Sequence, residues 1–351
     1  MSITIRPFGQ EQNGFPVTEY TLTNARGAAV SILDFGGVIT NILVPDRNGK
    51  LGDVNLGFDD AKAYTVDSGS MGALIGRVGN RIADATFDLE GQTYPLVANN
   101  GVNNLHGGPE GFNLRMWKVE QTEGKGVNSL RLSLVSPDGD QGFPGELNVQ
   151  VTYTFDNQNV LGIEYVATTS KTTLVNLTNH AYFNLDGHDA PTVEDLELQV
   201  FADSVSGVRE GLIPDGTMIP QSDVVYGFDK PKRMGDVLQY TDTDAEMQAA
   251  GGVDFNYCAG NDRMTKCIAV LYSPKTGREM KVITDMPGVQ VYTGQGLHQM
   301  GKGGIQYRPF SGMCLETQRY PDAIHQPYFP SIVLRPQEVY YTKTEYVFGI
   351  R

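Results

Sequence analysis

The residues that usually carry metal, redox or disulfide chemistry are scarce in this chain of 351 residues. It contains three cysteines and five histidines. Cys258, Cys267 and Cys314 form no C-x-x-C pair, so neither a disulfide framework nor a zinc knuckle is expected, and the thiols are interpreted as buried and space-filling. The histidines form no H-E-x-x-H motif. The sequence therefore predicts an absence of metal.

Long apolar runs are also missing. The start, MSITIRPFGQEQNG, predicts neither a secretion signal nor a membrane span, and a cytoplasmic location is the expectation. With 27 basic and 41 acidic residues the net charge is −14, which repels phosphate backbones and anionic lipids. Nucleic acid and membranes are therefore not expected as partners. The glycine-rich stretch 294–304 matches no nucleotide-binding pattern and is interpreted as a loop, so no cofactor is predicted.

Short runs rich in β-branched and aromatic residues are what the chain does contain. Several alternate apolar with polar residues, as in RLSLV at 131–135 and NVQV at 148–151, which is the period of a half-buried strand. Turn pairs such as Glu90-Gly91 lie between them. Helical signal is thin, with one short segment at 243–250. We predict an all-β chain, a large antiparallel β-sandwich, with residues 1–351 forming one domain.

Seven polar side chains stand out against this background. Each has an ordinary explanation: His180 as a hydrogen-bonded core histidine, Arg81 as a surface charge, Asp254 as a turn residue, Glu316 as a strand residue facing solvent. Gln290 lies in a strand-like segment, where an inward-facing amide needs partners. The candidate set is Asn80, Arg81, His106, His180, Asp254, Gln290 and Glu316.

The segments around these residues resemble the aldose 1-epimerase (galactose mutarotase) family over nearly the whole chain. The motifs occur in family order: LDFGG at 33–37, PDR at 45–47, GRVGNRIA at 76–83, LHGG at 105–108, TNHAYFNL at 178–185, PGVQVYTG at 287–294 and CLETQRYPD at 314–322. Two departures occur. Asp254 is followed by Phe255 where histidine is frequent, and Ala181 stands where serine is common.

The resemblance implies a galactose mutarotase-like supersandwich and an enzyme that interconverts the α and β anomers of free aldoses such as galactose and glucose. It implies Glu316 as general base and His180 as general acid. The other candidates match positions that bind sugar hydroxyls or support the acid, namely Asn80, Arg81, His106, Asp254 and Gln290.

A base and an acid suffice for this reaction. The C1 hydroxyl loses a proton while the ring oxygen gains one, the free aldehyde rotates, and the ring closes on its other face. No electrons or groups pass to a cofactor. Core packing is the expected role of Trp117 and of any one of the tyrosines, with stacking on the apolar face of the sugar as the alternative.

Three other functions stay open at this stage. A sugar-phosphate epimerase would need extra cations beside the cleft, for which Arg77 and Lys302 are candidates. A carbohydrate-binding module would bind sugar without exchange. A glycosidase would use Asp254 and Glu316 as its carboxylate pair. The sequence does not fix the preferred aldose or the oligomeric state.

Overall fold

The protein is built from antiparallel strands. The structure, a computed structural model, describes residues 1–66, 69–124, 126–260 and 264–351. Strands dominate these ranges, and each ladder between named strands is antiparallel in the described part of the chain. The predicted all-β fold is confirmed, because alternating short runs become strands as expected.

The strands occur in the following order. The first half of the chain contains β1 (Ser2–Gln10), β2 (Pro16–Thr23), β3 (Ala29–Leu33), β4 (Ile39–Pro45), β5 (Leu51–Asp53), β6 (Leu74–Ile75), β7 (Arg81–Ile82), β8 (Thr86–Leu89), β9 (Gln92–Pro95), β10 (Asn104–Leu105), β11 (Lys118–Glu123), β12 (Val127–Ser136), β13 (Leu147–Asp156) and β14 (Val160–Thr169). The second half contains β15 (Thr173–Leu174), β16 (Thr178–Asn179), β17 (Tyr182–Phe183), β18 (Glu197–Val200), β19 (Ser204–Arg209), β20 (Ile213–Pro220), β21 (Lys232–Arg233), β22 (Asp254–Cys258), β23 (Lys266–Tyr272), β24 (Arg278–Thr284), β25 (Gly288–Tyr292), β26 (Met313–Gln318), β27 (Val333–Leu334) and β28 (Tyr340–Ile350).

Three sheets contain most of these strands. Nine strands form one sheet in the order β11-β12-β13-β14-β28-β24-β23-β18-β21. Six strands form a second sheet in the order β17-β26-β25-β22-β19-β20, and β1 to β5 form a third in sequence order. Sequence neighbours pair throughout the third sheet and from β11 to β14 in the first, whereas β28 lies between β14 and β24, and β26 joins its sequence neighbour β25 to the distant β17.

The nine-stranded and six-stranded sheets pack face to face. Thr317 on β26 and Thr344 on β28 share a hydrogen bond of 2.5 Å between their hydroxyls, and the rings of Phe183 and Tyr346 lie 5.0 Å apart. One continuous apolar cluster takes residues from all three large sheets, such as Leu22. One face of the six-stranded sheet is used for this packing. Side chains on its opposite face therefore point away from the nine-stranded sheet.

Helices are few and short, as the sequence predicted. Helix α1 spans Met234–Leu238 and α2 spans Ala245–Ala250. Asp244 caps α2 by accepting from two backbone N–H groups, and Gly251 ends it at φ 74°. Neither helix is long enough to cross a membrane. Short 3₁₀ turns cover Ala61–Tyr64, Ala83–Ala85, Phe112–Leu114, Asp140–Gly142, Glu210–Leu212, Gln221–Asp223 and Lys302–Gly304.

Local sequence explains one hairpin directly. Strands β8 and β9 are joined by Glu90 and Gly91, which have φ values of 52° and 80°, the positive pair that a two-residue hairpin turn requires. Trp117 packs edge-on against Phe112 in the core, where its indole donates to the Phe112 carbonyl. Its alternative role as a sugar platform is therefore wrong, and core packing is the outcome.

Candidate active site

The face of the six-stranded sheet that points away from the nine-stranded sheet carries a polar band. Asn256, Gln290 and Glu316 are direct cross-strand neighbours on β22, β25 and β26. Opposed residues in an antiparallel ladder share a face, so the three side chains project together. The intervening residues, such as Leu315, point the other way into the core. The alternation of β26 therefore buries apolar residues behind the sheet and places Glu316 in front.

Two loops bring a second group of side chains over this band. Asn80 and His106 flank the short β7–β10 ladder and adopt left-handed backbone conformations, which asparagine and histidine tolerate better than most residues. They hold each other. The His106 N–H donates to the Asn80 carbonyl at 3.0 Å, and the Asn80 N–H donates to Nδ1 of His106 at 3.1 Å.

A third segment supplies His180. It follows β16, and its backbone is held by one adjacent segment, donating to the Ala73 carbonyl and accepting from the Gly72 N–H, both at 2.9 Å. The imidazole stands perpendicular to that of His106, with ring centroids 5.2 Å apart. Both rings border the same cavity.

This cavity has a volume of about 230 Å³. Six of the seven candidate residues line it, and Gln290 does not. Gln290 lies behind, where its amide donates to Asp254 at 2.6 Å. The lining consists of Gly69, Ser70, Asn80, Arg81, Leu105, His106, His180, Tyr182, Asp254, Tyr292 and Glu316.

His180 and Glu316 face each other across the cavity floor. Nε2 of His180 lies 3.6 Å from Oε1 of Glu316, and the two residues are 6% and 2% exposed. The other carboxylate oxygen, Oε2, has no hydrogen-bond partner among the residues that the structure describes. Glu316 does not point to solvent, and His180 is not a fully satisfied core histidine, so the ordinary explanations of both residues fail.

Burial pushes this pair toward its uncharged forms. It lowers the pKa of His180 to about 4, which a hydrogen bond from the ring to its own backbone partly opposes. Burial, with the nearby charge of Asp254, raises the pKa of Glu316 well above its usual range, and Arg81 acts in the other direction. A buried ion pair is costly unless geometry compensates it, so the two pKa shifts place a single proton shared by the two groups on the carboxyl.

His106 is a fixed hydrogen-bond donor. Its Nδ1 accepts the Asn80 N–H, so the proton of the neutral ring is on Nε2. Burial, together with the neighbouring His180 and Arg81, lowers the pKa of His106 well below its ordinary value and keeps the ring neutral. The ring therefore offers one N–H in a known place.

Arg81 and Asp254 form the charged side of the cavity. An Nη2 of Arg81 lies 3.6 Å from Oδ2 of Asp254, and Nε of Arg81 donates to Asn100 at 3.2 Å. Both side chains are 13% exposed, which leaves them reachable from the cavity. Arg81 is therefore not a free surface charge, and Asp254 is not a turn residue but the first residue of β22.

Three of these side chains could in principle hold a metal ion. The ligand atoms of His106, His180 and Glu316 lie within 4.8 Å of one another. A neutral histidine coordinates through an unprotonated nitrogen, however, and the Asn80 N–H occupies the one that His106 has. The donor set therefore does not favour coordination while the Asn80–His106 bond is in place.

Sequence reasoning missed three residues beside the candidates. Tyr182 and Tyr292 line the cavity with their rings 6.0 Å apart, and Cys314 touches His180. A signal was available, because Tyr292 and Cys314 each lie two residues from a candidate on the same strand, and a period of two puts both on the same face.

The whole chain matches known proteins. The aldose 1-epimerase family model covers residues 18–347. The chain belongs to the aldose 1-epimerase family. It is 40% identical to galactose mutarotase of Sus scrofa, covering 100% of this chain and 99% of that protein. It is 33% identical to aldose 1-epimerase of Escherichia coli K12, with 96% of each covered.

Solved structures of aldose 1-epimerase relatives have the same architecture. An aldose epimerase homologue from C. elegans superposes with a TM-score of 0.84 at 31% identity, covering 94% of this chain and 98% of that one. Galactose 1-epimerase from Lactobacillus acidophilus superposes with a TM-score of 0.86 at 26% identity, covering 100% and 99%. The predicted family, the supersandwich and the isomerase class are confirmed, and with them anomer interconversion at the level of the aldose 1-epimerase family.

Proposed function

We propose that Glu316 and His180 carry the anomer interconversion of a free aldose in this cleft, as general base and general acid. The observation that supports the pair is its geometry: Nε2 and Oε1 lie 3.6 Å apart, both groups are buried, and both border the cavity. A pyranose bound in the cavity against the pair would present its C1 hydroxyl to one group and its ring oxygen, bonded to the same carbon, to the other.

One proton shared by the pair is enough for the full reaction. With the closed ring bound, the working form has Glu316 as carboxylate and His180 as imidazolium. Transfer of the C1 proton to Glu316 and of the Nε2 proton to the ring oxygen opens the ring and leaves both groups neutral. Burial favours that neutral form, as the two pKa shifts indicate. The protein therefore stabilises the pair in the state that accompanies the open aldehyde.

The remaining side chains bind and orient the sugar. Nε2–H of His106 and the Arg81 guanidinium are donors, and the Asp254 carboxylate is an acceptor that also receives the Gln290 amide. Asn80 orients His106 through its backbone. Fixed donors and acceptors of this kind stabilise developing charge without reorganising, and a mismatched hydroxyl costs about 1–3 kcal/mol.

Phosphorylated sugars fit this site poorly. The two cations considered for a phosphate are used elsewhere: Arg77 is 2% exposed, and Lys302 is 5% exposed and bonded to Asp53. Arg81, the guanidinium that lines the cavity, faces Asp254. A free aldose is therefore the proposed substrate. A matched comparison of galactose with galactose 6-phosphate checks this, and equal kcat/KM for the two would contradict it.

A glycosidase or a binding module is less well supported. Asp254, the second carboxylate of a glycosidase, is already engaged by Gln290 and Arg81. A module that only binds has no use for a buried carboxyl with an unpartnered oxygen. Release of chromophore from a chromogenic galactoside would support the first alternative, and sugar binding without anomer exchange the second.

Anomer exchange NMR on α-galactose tests the proposal. Glu316→Gln and His180→Gln should each lower kcat by roughly 10²–10⁴-fold, the usual contribution of one proton transfer. Glu19→Gln is the control, because Glu19 is equally buried, at 1% exposed, but it pairs with Arg6 and Thr40 and does not line the cavity. Undiminished exchange in Glu316→Gln would remove Glu316 as base. Activity lost on chelation would contradict a metal-free mechanism.

The organisation of the chain as a single domain is a further part of the proposal. It is supported by the apolar cluster, which joins the three large sheets without a break. A single calorimetric transition with matching van't Hoff enthalpy is expected. The cytoplasmic location predicted from the sequence also remains a proposal.

A further inference from the structure

The buried thiol of Cys314 contacts the proposed acid from the side away from the base. Sγ of Cys314 lies 3.4 Å from Nδ1 of His180, and Cys314 is fully buried. It is held there by its strand, where it pairs with Tyr292 on one side and Tyr182 on the other. The imidazole is thus placed between a sulfur at Nδ1 and the Glu316 carboxylate at Nε2.

The mechanism requires one particular tautomer of His180, and this inference rests on that proposed function. Once Nε2 has given its proton to the ring oxygen, the ring must keep its other proton on Nδ1. Nε2 is then the free acceptor that takes the proton back on closure. A neutral ring protonated on Nε2 cannot do so, so a population of that tautomer is idle.

Two groups beside Nδ1 favour the required form. The hydrogen bond of the ring to its own backbone raises the pKa of His180, and Nδ1 is the ring nitrogen that lies nearer the main chain in the covalent structure of histidine. The second group is the Cys314 sulfur. Burial, with the charges of Glu316 and Asp254, raises the pKa of this thiol well above its ordinary value, so it stays a neutral thiol with lone pairs that can accept.

We propose that Cys314 is a positioning residue whose sulfur accepts a hydrogen bond from Nδ1 of His180, so that Nε2 alone exchanges a proton with the sugar. His106 is fixed in the opposite way. Its Nδ1 accepts the Asn80 N–H, so its proton is on Nε2. In the cleft, His106 therefore only donates a hydrogen bond, whereas His180 passes a proton to and from the sugar. In each case the group hydrogen-bonded to Nδ1 sets the tautomer.

The test reads the tautomer directly. In ¹⁵N NMR of histidine-labelled protein at neutral pH, the two-bond couplings to the ring hydrogens should report Nδ1–H for His180 and Nε2–H for His106. Cys314→Ala should shift His180 toward Nε2–H and lower kcat by roughly 2- to 10-fold, the size of one lost hydrogen bond, with KM nearly unchanged. Cys314→Ser, which restores an acceptor, should recover both readouts.

Cys258→Ala is the matched control. Cys258 is a second buried thiol, 2% exposed, whose sulfur contacts the Asn256 amide at 3.2 Å and not a histidine. Nε2–H on His180 in the unmodified protein overturns the proposal even if Cys314→Ala does not fold. So does a Cys314→Ala protein that matches Cys258→Ala in tautomer and kcat. Failure of His180 as acid would appear separately, as undiminished exchange in His180→Gln.

Discussion

Buried charged side chains occur in two regions of this molecule, and the protein satisfies them to different degrees. Away from the cleft, Lys302 uses all three of its protons, which it donates to the carbonyls of Thr40 and Asn55 at 2.7 Å and to Asp53 at 2.6 Å. Arg77 likewise donates only to backbone carbonyls and hydroxyls within the protein. Nothing in either group is left for a ligand.

The cleft is the opposite case. Oε2 of Glu316 has no partner in the protein, and among the described residues four neighbours around the sheet face also bury an unpartnered polar atom: Thr178, Asn256, Gln290 and Gln318. Buried polar atoms are normally hydrogen-bonded, so a cluster of exceptions needs a reason. Unpartnered atoms also occur elsewhere, as at Nε of the buried Arg278, so the feature particular to the cleft is that several of them lie around one sheet face, where the chemistry is proposed.

The largest effect should come from removing either member of the cleft pair, and removing both should add nothing to it. Glu316→Gln and His180→Gln act on one shared proton, so the double variant should lose no more kcat than the worse single one, roughly 10²–10⁴-fold. Anomer exchange rates of the four proteins give the comparison. Losses that multiply would show that the two groups act independently.

Glu316→Gln alone should not lower the stability of the fold. The pKa of Glu316 is raised in the folded state, so the carboxyl contributes stability below its unfolded pKa of about 4.5 and loses it as pH rises through the folded value. Glu316→Gln removes that loss and should raise Tm at neutral pH. A lower Tm would contradict the account of Glu316 as a carboxyl whose charged form is destabilised by burial.

Lys302→Met, in contrast, should destabilise the fold. Breaking a buried pair leaves Asp53 charged and uncompensated, so the free energy of unfolding should fall by about 3–5 kcal/mol. The kcat of the folded fraction should not change. Lys171→Met is the control, because Lys171 pairs with Asp138 but is 61% exposed, and an exposed pair contributes about 0–1 kcal/mol. Urea unfolding of the three proteins decides between these outcomes.

Much of the fold was predictable because its signal is local. Alternation over 131–135 and 148–151 became β12 and β13, and the segment at 243–250 contains helix α2. The order of strands was not predictable in the same way. That β26 pairs with β25 and β17, and that β28 lies between β14 and β24, depends on contacts between distant segments that no local pattern encodes.

The site residues could be predicted from the family motifs, and only partly from the physical properties of the residues in the sequence. Each motif marked its residue, but the register that aligns Gln290 with Glu316 is a long-range property. Cys314 was interpreted as space-filling because a lone cysteine has no local signature, and its contact with His180 exists only after folding. Arg77 and Lys302 were considered for a phosphate because a sequence shows charge but not burial.

The smallest expected effect is on the pH dependence of kcat/KM. It tests how strongly the charge of Asp254 influences the Glu316–His180 pair. The working pair holds one proton. A second proton charges His180, whose pKa is about 4, so kcat/KM should fall on the acid side near that value. Loss of the last proton is governed by the raised pKa of Glu316, so a second fall is expected on the alkaline side, above the ordinary carboxyl range.

Asp254→Asn should move only one of these two limbs. The Asp254 charge repels the Glu316 carboxylate and contributes to its raised pKa, while Arg81 opposes that effect. Without the repulsion the proton leaves Glu316 more easily, so the alkaline limb should shift to lower pH while the acid limb stays. Asp195→Asn, which alters an exposed carboxylate paired with Arg233, should shift neither limb. If the alkaline limb stays fixed in Asp254→Asn, the pKa of Glu316 does not depend on the charge of Asp254. The two carboxylates would then be coupled less tightly than their position on one sheet face implies.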